Sequence, residues 1–175
     1  VSYVATNNFH GGELAADRMA RLLGGKGNVI LLRYLAGSES TEQREEGFLT
    51  KLRTKYPDIH LLSSNQFAGP TAQTAMDKSI QLLIKYENKV DGIFAVCEPN
   101  CNGLLEAIKE RGLAAKNQFV AFDPSESLID RMKNVSVHGL VQQEPVNMGY
   151  LAVLKMVPHL WGEILSQRVS TDKHV

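Results

Sequence analysis

Six side chains that could bind a polyhydroxylated molecule follow apolar stretches of the sequence. They are Arg44, Phe67, Cys97, Glu98, Asp123 and Gln143. Guanidinium and carboxylate groups form strong charge-assisted hydrogen bonds with hydroxyl groups, and an aromatic ring can cover the apolar face of a pyranose or furanose. A few convergent polar groups beside an aromatic surface are typical of a small-molecule site. These residue types favour an uncharged monosaccharide as the ligand.

Each of these residues also has a purely structural interpretation. Arg44 lies in a charged helical segment and could be solvated, and Asp123 precedes Pro and Ser, where an aspartate often caps a helix. Glu98 could be a first-turn acid favoured by the helix dipole. Phe67 could anchor a loop, and Gln143 could complete a turn. A binding site is favoured because these positions follow several different predicted strands.

Both cysteines of the chain lie in the stretch "FAVCEPNCNG", at Cys97 and Cys101. A metal site would need further ligands nearby, and the spacing differs from the C-x-x-C of thiol oxidoreductases. A disulfide between positions four apart is open but geometrically demanding. We expect two thiols, with Cys97 at the rim of the site and Cys101 packed on the first helical turn.

Catalytic and cofactor motifs are missing from the sequence. The five histidines do not form an HExxH or a similar metal-ligand pattern, no GxSxG is present, and no GxGxxG follows the first strand. The sequence therefore predicts no catalytic residues, no metal, no cofactor and no enzymatic activity. A small α/β enzyme acting on sugars stays as a rival interpretation, which would need a base near Cys97 or Asp123.

Strand-like and helix-like patterns alternate six times along the chain. The runs "NVILLRY" and "DGIFAV" are apolar at successive positions, as strands covered by helices on both faces are. The alternation predicts an α/β fold in which a doubly wound parallel sheet of six strands is flanked by helices. Ligands of such sheets bind beyond the carboxyl ends of the strands, so the six loops that follow the strands should share one rim.

Composition excludes several other classes of protein. The 175 residues are 43% hydrophobic and 22% charged, with a net charge of +0 and a pI of about 7.1. No basic cluster predicts a nucleic-acid surface, and no apolar run reaches the roughly 20 residues of a membrane helix. Because "VSYVATNN" at the start already reads as a strand, we expect the chain to begin inside a larger protein, with any signal peptide upstream.

Several stretches together resemble a known family. They occur in its order over nearly the full length, and they are "TNNFHGGELAAD", "AGSESTEQREEGF", "NQFAGPTAQTA", "FAVCEPNCNGLLEAI", "VAFDPSE" and "LVQQEPVNMGYLAV". The chain resembles the C-terminal half of type I periplasmic sugar-binding proteins, the ribose-binding-protein-like receptors of bacterial ABC importers. It is also similar to the effector-binding domain of lactose-repressor-type transcriptional regulators, which is the alternative interpretation.

The resemblance implies roles for individual residues. Arg44 matches an arginine that bonds sugar hydroxyls, Asp123 a carboxylate that accepts from them, Gln143 a glutamine on the hinge side, and Phe67 an aromatic ring against the sugar. Cys97 stands where ribose-type receptors carry a ligand-binding asparagine. A thiol is a weaker hydrogen-bonding group, so one usual hydroxyl contact is lost or replaced there.

Glu98, beside that cysteine, keeps the family's acidic character. The resemblance also implies two lobes that close on the sugar. Residues 1–7 would be a hinge-crossing strand, 8–142 the C-terminal ligand-binding lobe, and 143–175 a hinge return, helix and tail of the N-terminal lobe. It further implies a monomer in the periplasm, or anchored outside the cytoplasm as a lipoprotein, that docks on the importer's membrane subunits without entering the membrane.

Overall fold

Strands and helices alternate through residues 2–113, 117–133 and 136–171, which are the residues that the computed structural model describes. The strands are β1 Tyr3–Thr6, β2 Gly27–Arg33, β3 Ile59–Phe67, β4 Gly92–Ala95, β5 Gln118–Phe122, β6 Gly139–Val141 and β7 Arg168–Thr171. The helices are α1 Asn8–Leu23, α2 Glu39–Lys55, α3 Ala72–Lys85, α4 Glu98–Glu110, α5 Glu126–Lys133 and α6 Pro145–Leu160.

Five of the strands form one parallel sheet in the order β3-β2-β4-β5-β6. Alternate residues of β2 enter different cores, as the two-residue period of a strand requires. Ile30 and Leu32 pack in a core that includes α3 and α4 side chains, whereas Val29 and Leu31 pack in a core that includes α1 and α2 side chains. Helices therefore cover both faces, and the predicted doubly wound α/β fold is confirmed.

The prediction that β1 joins this sheet is wrong. β1 pairs with β7 in a separate two-stranded parallel sheet, from Tyr3 opposite Arg168 to Thr6 opposite Thr171. Only Thr6 of β1 is buried, and Tyr3 is exposed. A strand with so little buried surface lacks the helix cover that the five central strands have. The rim of the larger sheet is accordingly built from the ends of five strands.

The described chain falls into two compact units. The larger unit is Asn8–Val141, and the smaller consists of residues 2–7 and 142–171. The smaller unit contains β1, α6 and β7, and no residue of α6 is buried. The larger unit contains the five-stranded sheet and both hydrophobic cores. Whether these units correspond to lobes of a larger protein stays a prediction.

Two glycines allow α1 and α2 to pack backbone against backbone. A Cβ atom at Gly12 of α1 would lie 2.0 Å from the carbonyl oxygen of Arg44, and one at Gly47 of α2 would lie 2.0 Å from the carbonyl oxygen of Phe9. No side chain larger than hydrogen fits at these distances. The reciprocal contact fixes the second turn of α2, which carries Arg44, against the start of α1.

We expect Gly47→Ala to lower the free energy of unfolding by about 1–3 kcal/mol, because the added methyl group overpacks this helix contact. Urea unfolding followed by circular dichroism measures the effect. Gly149→Ala is the control, since a Cβ there meets no atom within 4 Å and alanine is the better helix former. Equal unfolding midpoints for Gly47→Ala and the parent chain would contradict the close approach.

Candidate functional site

Most of the predicted site residues lie at the carboxyl edge of the five-stranded sheet. Phe67 is the last residue of β3, Cys97 and Glu98 follow β4, and Asp123 follows β5 directly. Arg44 reaches this edge from the second turn of α2. Because parallel strands end on the same side of the sheet, residues distant in sequence come together there.

Arg44 is the centre of this arrangement. Its side chain is buried, with the whole residue 4% exposed. Nε donates to Asn8 Oδ1 at 2.9 Å, and Nη1 donates to the Val96 carbonyl at 2.8 Å and to Asp123 Oδ2 at 3.1 Å. The guanidinium carbon lies 3.9 Å from the centroid of the Phe122 ring. These contacts hold the guanidinium against α1, β4 and β5 at once.

One guanidinium nitrogen of Arg44 is not used in these hydrogen bonds. Nη2 makes no hydrogen bond with the described residues, while Nε and Nη1 are both engaged. A guanidinium carries five N–H donors in a fixed plane, so anchoring through Nε and Nη1 leaves the two donors of Nη2 in a known direction. The solvated-arginine interpretation of Arg44 is therefore wrong for this buried side chain.

Asp123 supplies a carboxylate beside that arginine. Its backbone is in the left-handed region, with φ of 68°, a conformation that aspartate tolerates better than most residues. Its N–H donates to the Val141 carbonyl at 3.0 Å. The cap of α5 is Ser125, whose Oγ accepts from the N–H of Leu128 at 3.3 Å. Asp123 thus does not need to cap the helix, and its half-buried carboxylate stays at the rim.

The two cysteines are free and buried. The Cys97 thiol donates to Asn100 Oδ1 at 3.2 Å, and the Asn100 amide nitrogen donates to the Gly69 carbonyl at 3.3 Å. Burial raises the pKa of Cys97 to about 11, although a hydrogen bond from the backbone of Asn100 and the charge of Arg44 oppose the rise. Burial likewise raises the pKa of Cys101. Both thiols are therefore protonated at neutral pH. The structure has two free cysteines in place of the disulfide alternative.

Phe67 and Arg33 stack on each other at the ends of neighbouring strands. The Arg33 guanidinium carbon lies 4.5 Å from the centroid of the Phe67 ring, and Arg33 Nε donates to Glu45 Oε2 at 2.6 Å. Glu45 is 1% exposed, and its burial raises the pKa of the carboxyl group while the ion pair with Arg33 opposes that rise. Phe67 remains 37% exposed.

The remaining two predicted site residues are Glu98 and Gln143. Glu98 is exposed and opens α4, where the helix dipole favours a carboxylate. Gln143 follows β6 and belongs to the smaller unit, so its place on a common rim with Arg44 stays a prediction. Across the described residues, no group of three or more His, Cys, Asp or Glu side chains is arranged to hold a metal ion.

Sequence reasoning missed three residues that build the site. They are Asn8, Arg33 and Glu45. Asn8 accepts from Arg44, which lies 36 positions away, and Arg33 pairs with Glu45, which lies 12 positions away. Asn8 opens α1 and lies in the stretch after the first predicted strand, which the strand-end rule already singles out. Glu45 is next to Arg44 in "REEGF", but its burial could not be read from a run of charges.

Residues 1–164 match the family model described as periplasmic binding protein domain. The ribose import binding protein RbsB of Haemophilus influenzae is 28% identical, and the match covers 100% of this chain but 58% of the relative. This chain therefore spans little more than half of that relative's length.

Solved structures of sugar-transport binding proteins are also similar to this chain over nearly its full length. The periplasmic component of an ABC-type sugar transport system from Hahella chejuensis is 34% identical with a TM-score of 0.90, covering 99% of this chain and 62% of that one. A carbohydrate transporter solute binding protein from Agrobacterium radiobacter, in complex with D-arabinose, is 29% identical with a TM-score of 0.90, covering 99% and 60%.

We expect Cys97 of the native chain to react with iodoacetamide at pH 8 about two orders of magnitude more slowly than an ordinary cysteine, because so little thiolate is present at a pKa of about 11. Cys101, which is fully buried and whose pKa is also raised, should react more slowly still. Reaction rates followed by mass spectrometry measure this. In denaturing urea both thiols should react at the ordinary rate, which is the control. Rapid labelling of Cys97 in the folded chain would contradict its burial.

Proposed function

The chain belongs to the periplasmic binding protein domain family, and from that premise we propose that it forms the ligand-contacting part of a substrate-binding protein of a bacterial ABC-type sugar importer. The resemblance drawn from the sequence is confirmed at the level of the family. Its relatives are binding proteins of sugar transport, which favours importer function over the effector domain of a lactose-repressor-type regulator. A family of binding domains also agrees with the prediction that the chain is not an enzyme.

The observation that supports this proposal most is the ion pair between the buried Arg44 and the half-buried Asp123, in which Arg44 Nη2 makes no hydrogen bond with the described residues. Arg44 Nη2 can donate to one hydroxyl oxygen, and the Asp123 carboxylate can accept from a neighbouring hydroxyl. Adjacent hydroxyl groups on a sugar ring match such a donor beside an acceptor. Charge-assisted hydrogen bonds of this kind are the strong ones.

Charge balance at the rim favours a neutral ligand. Arg44 is paired with Asp123, and Arg33 with Glu45, so the four charges cancel. Glu98 adds one further negative charge. An anionic ligand would lose its hydration without gaining an unpaired cation, whereas a polyol gains hydrogen bonds at no such cost. Cys97, which donates to Asn100, offers the ligand only a weak sulfur acceptor.

We also propose that the larger unit is one lobe of a two-lobed receptor and that the smaller unit belongs to the other. The described α6 exposes apolar side chains that a protein normally covers, among them Val146, Tyr150 and Leu160, and Trp161 directly after the helix is exposed as well. The rest of the second lobe would cover them. A sugar held by both lobes shifts the equilibrium toward the closed form. Gln143 would then contact the sugar from the hinge side.

Location and partners follow from the same premise. The proposed protein works in the periplasm, or anchored as a lipoprotein outside the cytoplasm, and its closed form docks on the importer's membrane subunits as a monomer. In the described part of the chain, the helices are too short or too polar to span a bilayer. A signal peptide would lie upstream of this sequence.

We expect Asp123→Asn and Arg44→Lys to weaken sugar binding by about tenfold or more, because each removes a charge-assisted hydrogen bond to a buried hydroxyl. The measurement is calorimetry on the full-length protein, with the sugar chosen by a thermal-shift screen of pentoses, hexoses and cyclitols. Arg53→Lys and Asp130→Asn are matched controls, since both residues form exposed ion pairs on helices. Parent-like affinity in Asp123→Asn would remove that carboxylate from the site.

A further inference from the structure

The exposed ring of Phe67 lies against an ion pair formed by the buried Glu45 and the partly buried Arg33. We propose that Glu45 and Arg33 act as positioning residues that fix the Phe67 ring as the apolar platform of the sugar site, an inference that rests on the function proposed above. The contacts form a chain from Glu45 to Arg33 at 2.6 Å and from Arg33 to the ring at 4.5 Å. All three residues belong to the larger unit.

The backbone brings Arg33 and Phe67 side by side. They are the last residues of β2 and β3 and stand opposite each other in the register of the parallel pair. The Ala68 N–H donates to the Arg33 carbonyl at 2.8 Å, and the Gly69 N–H donates to the Tyr34 carbonyl at 3.1 Å. The backbone hydrogen bonds between the two chain segments therefore continue beyond Arg33 and Phe67. The Cα positions of both residues are thus fixed by the backbone, independently of their side-chain contact.

Glu45 sets the direction of the Arg33 side chain. Its carboxylate is buried, with Oε2 on Arg33 Nε and Oε1 accepting from the Tyr34 N–H at 3.3 Å. A buried carboxylate is strongly destabilising without a partner, and Arg33 is the only cation within ion-pair distance of it among the described residues. The guanidinium is thus held through Nε, and its central carbon lies over the ring.

The Arg33 guanidinium lies over one face of Phe67, and the 37% of the residue that stays exposed is open to a ligand. A ring that is already fixed loses little rotamer freedom when a sugar packs on it. Glu45 follows Arg44 in α2, so consecutive residues of one helix hold the polar contact and the apolar platform. Each of the two ion pairs thus has one partner on α2, a regular helix, rather than on a loop.

Ring immobilisation is tested without any sugar. In a Phe67→Trp chain that also carries Trp161→Phe, position 67 holds the only tryptophan. We expect Arg33→Met and Glu45→Gln in this background to raise acrylamide quenching at least about twofold, because one face of the indole opens to the quencher. Steady-state anisotropy should fall in parallel.

Two further variants keep that result interpretable. Glu46→Gln is the matched control, because Glu46 is the next residue of α2 and pairs with Arg53 at 2.9 Å on the exposed surface; it should leave quenching unchanged. Arg33→Lys keeps a charge for Glu45 but cannot stack as a plane, so it should raise quenching while the urea midpoint stays at the parent value. Unchanged quenching in Arg33→Met and Glu45→Gln, or an increase only in variants with lowered midpoints, would overturn the positioning role.

Sugar binding is measured separately, by calorimetry on the full-length protein with D-ribose and D-arabinose as probes. We expect Arg33→Met to weaken binding about three- to tenfold, the cost of ordering one freed side chain, and Glu46→Gln to leave it unchanged. Parent-like binding in Arg33→Met overturns the platform role even if the ring is mobile. If the parent protein binds neither probe and no other sugar in the screen, the proposed function and the platform role both fail. The quenching experiment still decides whether Arg33 and Glu45 immobilise the ring, because it needs no sugar.

Discussion

The buried guanidinium of Arg44 is the interaction on which the rest of the site depends. A cation removed from water is tolerated only when its hydrogen bonds and its charge are compensated. Asn8, the Val96 carbonyl and Asp123 provide that compensation from three different elements. The helix that carries Arg44 can reach them only because Gly12 and Gly47 let α1 and α2 touch. The proposed binding group is thereby oriented by the folding of the larger unit itself.

The neighbouring ion pair applies the same principle to an apolar contact. The buried Glu45 pairs with the partly buried Arg33, and the Arg33 guanidinium lies over one face of Phe67. Both pairs join α2 to the carboxyl edge of the sheet, so donor, acceptor and ring are arranged by one rigid framework. Preorganisation of this kind reduces the entropy that a ligand must offset on binding. Closure of a two-lobed receptor would then add contacts without reshaping this wall.

The sequence predicted the parts of the fold that depend on periodicity and on strand order. Apolar runs such as "NVILLRY" identified strands, and the rule for parallel sheets brought Arg44 to Asp123 across 79 positions. The pairing of β1 with β7 was missed, because strand pairing between chain ends leaves no local pattern. The stack of Arg33 on Phe67 and the orientation of the Cys97 thiol depend on side-chain geometry that composition and spacing do not encode.

A crystal structure of the full-length protein with its tightest-binding sugar tests the role of Arg44 most directly. We expect a sugar hydroxyl oxygen within about 3 Å of Arg44 Nη2, while Nε still donates to Asn8 and Nη1 to the Val96 carbonyl. A sugar bound without any contact to Arg44, or an Arg44 side chain that leaves Asn8 on binding, would contradict the view that folding prepares this arginine for its ligand.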